Sequence, residues 1–314
     1  MSVQRPTLVI AGATGFIGSM IVKAAIHVGY DVIRLVRSYP QERPQHCTDV
    51  LWEPRQGKLD ESVLAQSAAV VCLNGAPLIG KIWTEHYKEV LRDSRIDSVR
   101  TIVTAIGRLS HGQRPRCFIS GSAIGYYGPF SDDEILTEAD GPGSGFLAQL
   151  CQEWEREAYR CEEDFGVRTI ALRTSLVMDD DGGLLGALSN LYRLGLGAQL
   201  SDGNMWMSTI SLIDYARAVL FLVSKANIHG PVNMACPDPV RNRQWHKLLA
   251  QHLHRPSFLR APLRPLAKLF PYAIGETVMA SQRVYPQVLL DAGFSFTAET
   301  VPEIFAQVLP QAHN

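Results

Sequence analysis

Short apolar runs alternate with longer segments of helical period over the first 175 or so residues. The run TLVIA, Thr7–Ala11, is almost unbroken apolar, as expected of a strand covered on both faces. A glycine-rich turn follows, then a helix from about 16 to 28, with Gly29 as its stop. The same reading predicts strands at 32–36, 49–52, 69–73, 117–120 and 169–172. Thr84 is placed to cap a helix reaching about 109, in which Tyr87, Val90, Leu91, Ile102, Val103 and Ile106 recur at helical spacing. The stretch GFLAQLCQEWE, 145–155, heads another helix to about 165, with Leu147, Leu150, Cys151 and Trp154 on one face.

Strands that are continuously apolar and alternate with helices predict an α/β fold: a doubly wound parallel sheet covered on both sides. Beyond about 175 the pattern loosens and Gly and Pro become frequent, as in GGLLG, RLGLGAQL and GPVNMACPDPV. Helices are expected near 242–253 and 299–309, around the segment RAPLRPLAKLFPYAIGE. The division expected is a dinucleotide-binding domain over 1–227, with 178–210 contributing to a substrate region, and a smaller, partly helical substrate or lid domain over 228–314.

Composition narrows the function. A net charge of -1 gives no basic field for nucleic acid. The six cysteines are scattered with no C-x-x-C, which offers no zinc or redox motif and suits a reducing compartment. His252 and His254 are too close in sequence to share a helix face, so they make no metal pair. No apolar run reaches membrane-spanning length, and the chain enters its first strand without a basic and apolar leader. The expectation is a cytoplasmic protein with a small-molecule substrate and neither nucleic acid nor membrane as partner.

The turn between first strand and first helix reads GATGFIG, Gly12 to Gly18. Gly12 permits the tight turn, Gly15 the approach of a pyrophosphate, and Gly18 close packing of helix on strand. Free N–H groups at the helix start then face phosphate. The strand–turn–helix context turns a glycine spacing into a dinucleotide site. The second strand ends Val36-Arg37-Ser38, without the acid that would hold the ribose hydroxyls of NAD. Arg37 suits the 2′-phosphate of NADP, so NADP(H) is expected over NAD(H).

GATGFIG, with GAPLIGKIWT (75–84), DSR (93–95), SGSAIGYYG (120–128), WE (154–155), LRT, DGGLLG, RLGLG, GPVNM, PDPVRN, LHRP and AGFSF further on, resembles the atypical and extended short-chain dehydrogenase/reductase superfamily. Within it the chain is similar, over nearly its whole length, to the NAD(P)-dependent or nucleoside-diphosphate-sugar epimerases that are also labelled SulA-like cell-division inhibitors and carry a C-terminal domain of unknown function. The resemblance implies a Rossmann fold. It implies that Gly12, Thr14, Gly15, Phe16, Ile17 and Gly18 form the pyrophosphate turn and that Arg37 contacts the adenosine phosphate. It further implies that Leu73, Asn74 and Gly75 pass the adenine and ribose, that Arg95 reaches toward the cofactor, and that Ser120 and Ser122 lie near the nicotinamide. The chain departs from the family at Cys72-Leu73-Asn74-Gly75, where relatives tend to have N-L-A-G, and at Thr209-Ile210-Ser211, where they often have Trp-x-His.

Reductases and epimerases of the superfamily use a Ser, a Tyr and a Lys, the Lys holding the ribose and lowering the phenol pKa. Ser122 matches the serine. The tyrosine and lysine positions fall at Phe146 and Leu150, and neither carries a proton. Tyr126 and Tyr127 are the nearest substitutes by sequence, although packing, or a wall beneath the nicotinamide, accounts for them better, since a phenol needs a nearby cation to act at neutral pH. Lys81 reads as a surface charge, and Glu155 is expected a turn or more away. Two functions remain. One is an epimerase or oxidoreductase with Ser122, Tyr126 and Tyr127 as catalytic candidates. The other is a non-catalytic nucleotide-bound sensor or scaffold for a partner such as cell-division machinery. The helices 84–109 and 146–165 are where superfamily homodimers pair, but their Tyr87, Leu91 and Trp154 fit core packing better.

Overall fold

The computed structural model describes residues 5–78, 81–262 and 271–309. Residues 79–80 of GAPLIGKIWT and 263–270 of the proline-rich segment lie outside them. In chain order the elements are β1 (Thr7–Ala11), α1 (Phe16–His27), β2 (Asp31–Val36), β3 (Cys47–Leu51), β4 (Ala69–Cys72), α2 (Glu85–Arg108), β5 (Cys117–Ala123), β6 (Phe130–Leu136) and α3 (Phe146–Phe165). There follow β7 (Arg168–Thr174), β8 (Leu176–Asp179), α4 (Gly183–Arg193), β9 (Gln199–Leu200), β10 (Trp206–Met207), β11 (Thr209–Ser211), α5 (Leu212–Ser224) and β12 (Gly230–Met234). The last are β13 (Val240–Arg241), α6 (Asn242–His252), β14 (Arg260–Ala261), the π-helical stretch Pro271–Val278, β15 (Ser281–Val284), α7 (Gln287–Asp291) and α8 (Val301–Val308). None of the helices is long and apolar enough to cross a membrane, among the described residues.

Seven strands form one parallel sheet in the order β12-β7-β5-β4-β1-β2-β3. From β1 the chain steps outward through β2 and β3, then returns to place β4 on the other flank of β1. That reversal opens a crevice between the carboxyl ends of β1 and β4, where such sheets bind ligands. Burial matches the continuous apolar pattern: every residue of β4 is buried, and all of β1 but its first.

The chain divides into two compact units that interleave along the sequence. The first comprises Met1–Ser122, Leu150–Leu172 and Ala216–Pro231. Its core joins Val9, Val70 and Phe118 of the sheet to Ile102 and Ile106 of α2 and to Trp154 and Ala158 of α3. Thr84 caps α2 as expected, its hydroxyl accepting from the Tyr87 N–H at 3.1 Å. Leu91 and Trp154 lie in this interior, so core packing accounts for both. Arg34 on β2 makes a buried two-point ion pair with Asp49 on β3, at 2.7 and 3.0 Å, and also donates to the Glu42 carbonyl.

The second unit comprises Ala123–Gln149, Arg173–Tyr215 and Val232–Asn314. Short strand pairs frame it: β6 with β15, β8 with β11 and β9 with β14 run parallel, β10 with β13 antiparallel. Tyr192, Trp245, Leu249, Ile304 and Phe305 fill its core. Asp214 is wholly buried and accepts from the Thr297 N–H and hydroxyl and from the Ala298 N–H, at 2.8 to 3.0 Å. A capping box at Thr300 and Glu303 starts α8 immediately afterwards.

Candidate functional site

Each glycine of the turn has its own physical reason. Gly12 is left-handed, φ +84°, and a side chain there would sit 3.1 Å from the Leu73 carbonyl carbon. The loops after β1 and β4 therefore meet at Gly12. A Cβ on Gly18 would lie 2.1 Å from the Gly12 carbonyl oxygen, so the close seating of α1 on the turn admits only glycine. Gly15 is different. Its backbone is ordinary, φ -80°, and its nearest obstacle is the Gly12 oxygen at 3.3 Å, to which its own N–H donates at 3.0 Å. Gly15 is exposed, and the bare backbone there leaves room for a ligand.

Gly15 is also the N-cap of α1. No side chain caps the helix, and its first turn holds no acid. The opening N–H groups and the positive end of the helix dipole are thus left for an anion. Thr14 is exposed, while Phe16 and Ile17 are half-buried beside it. The residues fit the pyrophosphate of a dinucleotide. Arg37, exposed at the tip of β2, makes no ion pair among the described residues, and no acid stands beside it in Arg37-Ser38-Tyr39.

Across the crevice, Leu73 donates its N–H to the Ala11 carbonyl at 3.0 Å, and Leu73 and Asn74 are half-buried. Gly75 is exposed, and the Arg95 guanidinium lies beneath it: a Cβ on Gly75 would be 2.9 Å from Arg95 Cζ. The Arg95 side chain is engaged by protein, donating to the Leu91 carbonyl at 2.8 Å and the Ala76 carbonyl at 3.2 Å. It supports the loop that forms the wall rather than extending freely from α2.

At the end of β5 the two serines differ. Ser120 is wholly buried and its hydroxyl donates to the Gly121 carbonyl at 3.0 Å, so its side chain is engaged within the sheet. Ser122 donates to Glu155 Oε1 at 2.7 Å, and both side chains are buried. The sequence reading places Glu155 a turn or more away, and the structure brings it to Ser122. Its position four residues after Cys151 turns it toward β5 on the face that carries Trp154 and Cys151. The i, i+4 relation to Cys151 is the signal that places it there.

The tyrosines belong to the second unit and divide as well. Tyr127 is buried; its hydroxyl lies 2.7 Å from Asn233 Oδ1 and 2.9 Å from the Thr137 carbonyl, and accepts from Arg173 at 3.0 Å. Burial pushes its pKa up to about 12, against the weaker pull of Arg173. Tyr127 is a packed, hydrogen-bonded strut whose hydroxyl is fully engaged by protein. Tyr126 is half-buried, with the Arg173 guanidinium 3.5 Å from its ring centre. Nothing in the sequence near SGSAIGYYG pointed to Arg173.

Phe146 and Leu150, the positions that the resemblance matches to a Tyr and a Lys, carry neither phenol nor ammonium, and a slip of one residue gives Leu147 and Cys151, equally without either. The head of α3 is instead held by Glu276, whose carboxylate accepts from the Phe146 N–H at 3.0 Å and the Leu147 N–H at 2.8 Å. Gly145 precedes it with φ +104°, and a Cβ there would come within 3.0 Å of that carboxylate. With 130 residues between the partners, sequence pattern carried no sign of this cap. Lys81 is exposed. Within the second unit a cavity of about 400 Å³ is lined by Ser201, Asp202, Arg260 and Pro262.

Residues 8–235 match the NAD dependent epimerase/dehydratase family, and residues 265–308 match a domain of unknown function, DUF1731. The chain belongs to the NAD-dependent epimerase/dehydratase family. An epimerase family protein of Mycobacterium bovis is 35% identical over 294 residues, 94% of each chain. Among solved structures, the human epimerase family protein SDR39U1, described with NADPH, aligns with a TM-score of 0.83 at 20% identity over 96% of this chain and 98% of that one. A nucleoside-diphosphate sugar epimerase from Corynebacterium glutamicum aligns with a TM-score of 0.77 at 27% identity, over 98% of this chain and 58% of the other. The family binds nicotinamide dinucleotides.

Proposed function

We propose that the protein is an NADP(H)-dependent oxidoreductase or epimerase acting on a small carbonyl or sugar-type substrate, with Ser122 at the reacting group and Glu155 as its proton partner. The Ser122–Glu155 bond carries this reading. A serine whose only proton is directed at a carboxylate keeps its oxygen lone pairs to accept from a second donor. A substrate hydroxyl can then pass a proton to Ser122 as Ser122 passes its own to Glu155, and the reverse path delivers a proton to a carbonyl. This route needs neither a phenol nor a lysine on α3. The nicotinamide, when bound, supplies and accepts hydride. Gly12, Thr14, Gly15, Phe16, Ile17 and Gly18 hold the pyrophosphate, Leu73, Asn74 and Gly75 flank the adenine and ribose, and Arg37 takes the 2′-phosphate.

Arg37→Ala is expected to weaken NADPH binding by about tenfold or more, the value of one charge-assisted phosphate contact, while leaving NADH binding unchanged. Titration by energy transfer from the tryptophans to the nicotinamide reads both. Equal losses for the two nucleotides would remove Arg37 from the phosphate site. For the chemistry, NADPH consumption is followed against a panel of quinones, aldehydes and keto sugars. With a compound that the wild type reduces, Glu155→Gln lowers kcat on the order of a hundredfold at unchanged NADPH affinity. Tight NADPH binding with no turnover across the panel is the result expected of a nucleotide-bound sensor.

A further inference from the structure

Two side chains of the domain of unknown function hold segments that lead into the proposed proton pair. Glu276 and Gln282 both lie within its residues 265–308. Glu276 caps α3, accepting from the Phe146 and Leu147 N–H groups. Gln282, buried in β15, donates its amide to the Ile124 carbonyl at 3.0 Å and to the Gly128 carbonyl. Its own carbonyl accepts from the Ser208 hydroxyl at 2.7 Å, and that hydroxyl accepts from the Val284 N–H at 2.9 Å. β15 is therefore fixed in place where it presents the amide.

Starting a helix needs no such distant partner, because a Ser, Thr, Asp or Asn at the N-cap does it locally. Here Gly145 precedes Phe146, and its bare backbone makes the room: a Cβ there would meet the Glu276 carboxylate at 3.0 Å. The first turn of α3 carries no acid of its own. The chain has given up a local cap and accommodated one from another part of the sequence.

The two held segments also press on each other. The Gly143 N–H donates to the Tyr126 carbonyl at 2.9 Å. A Cβ on Gly143 would lie 2.1 Å from the Tyr127 carbonyl oxygen, and one on Gly128 would lie 3.0 Å from the Ser144 nitrogen. The loop after β5 and the entry to α3 thus meet backbone to backbone, with Gln282 holding the first and Glu276 the second. Along the chain each runs into one member of the pair. Ile124 follows Ser122 closely, and Glu155 stands on the helix that Phe146 starts, about 13 Å along an axis kept stiff by its hydrogen bonds.

We infer that the domain of unknown function is a brace for the proton pair, with Glu276 and Gln282 as positioning residues that fix the segments carrying Glu155 and Ser122. This rests on the proposed role of that pair, yet the brace is detectable without substrate. Because the head of α3 is packed on the 124–128 loop, loss of either side chain loosens both segments together.

The test is hydrogen exchange of the full chain, read by mass spectrometry, in wild type, Glu276→Ala and Gln282→Ala. Each variant is expected to speed exchange by about tenfold or more in both 124–128 and 145–151, with the Gly12–Gly18 turn and NADPH affinity as in wild type. Faster exchange confined to the segment that lost its own hydrogen bond, 145–148 in Glu276→Ala or 124–128 in Gln282→Ala, overturns the inference and leaves two separate local supports. If Glu276→Ala does not fold, Glu276→Gln, which keeps one acceptor oxygen, decides by the same comparison. With a compound that the wild type reduces, a double-mutant cycle separates positioning from stability. Glu276→Ala is expected to lower kcat about tenfold in wild type and less than about twofold beside Glu155→Gln, since its effect runs through Glu155. Equal losses in the two backgrounds contradict the inference. A wild type that consumes no NADPH with any compound, while its variants show the coupled exchange, strikes the proposed function and not the brace.

Discussion

Gly18→Ala is expected to weaken NADPH binding by at least about a hundredfold and to destabilise the fold by roughly 1–3 kcal/mol. The added methyl would sit 2.1 Å from the Gly12 carbonyl oxygen, a distance no side-chain carbon adopts. Either α1 backs away from the turn or the turn opens. Both displace the Gly15 N–H, which now closes the turn on Gly12, and both misdirect the opening N–H groups of α1. Gly29→Ala is the control. Gly29 also has positive φ, +98°, but open space around it, so its substitution strains the chain by about 1 kcal/mol and leaves nucleotide binding intact. Tryptophan-to-NADPH energy transfer and thermal melts on both variants check this. Equal NADPH affinity in Gly18→Ala and wild type would show that the turn does not hold the cofactor.

The second large effect is on stability alone. Asp214→Ala removes a fully buried carboxylate that accepts from two backbone N–H groups and one hydroxyl at Thr297 and Ala298. The Ala298 N–H then stays buried without an acceptor, while the two donors of the exposed Thr297 lose their partner, at an expected cost of about 2–4 kcal/mol. A chain of this size should lose on the order of 10 °C in Tm. Asp214→Asn keeps one acceptor oxygen but turns an amide N–H toward another donor, so an intermediate loss is expected. A melt unchanged within about 1 °C for Asp214→Ala would show that the segment before α8 is held by its capping box and packing instead.

What the sequence revealed follows from how local each determinant is. The first strands, α1, α2 and the glycine turn could all be read because their cues lie within a few residues: apolar runs, the Thr84 cap and the Gly29 stop. β12 escaped notice as a strand of the main sheet. It is short, opens Gly-Pro, contains Asn233, and pairs with β7 far back in the chain. α5 follows β11 directly, Ser211 ending the strand and Leu212 starting the helix, so no turn residue marks its beginning. At the site, the cofactor turn was legible and the chemistry was not. Tyr127 looked reactive because it follows Ser122 closely, yet its hydroxyl is spent on Asn233, Thr137 and Arg173, contacts that only the tertiary fold creates. Glu155 was set aside on its distance from Phe146 and Leu150, when helical periodicity from Cys151 carries it to β5. The Glu276 cap on α3 joins segments that no local pattern could link.

The most direct test of the account is a crystal structure of the protein with NADPH bound. The account predicts the pyrophosphate on the N–H groups at the start of α1, the 2′-phosphate at Arg37, and the nicotinamide at the end of β5 with Ser122 and its Glu155 partner facing the substrate side. A dinucleotide lying away from the Gly12–Gly18 turn, or a nicotinamide remote from Ser122, would contradict it.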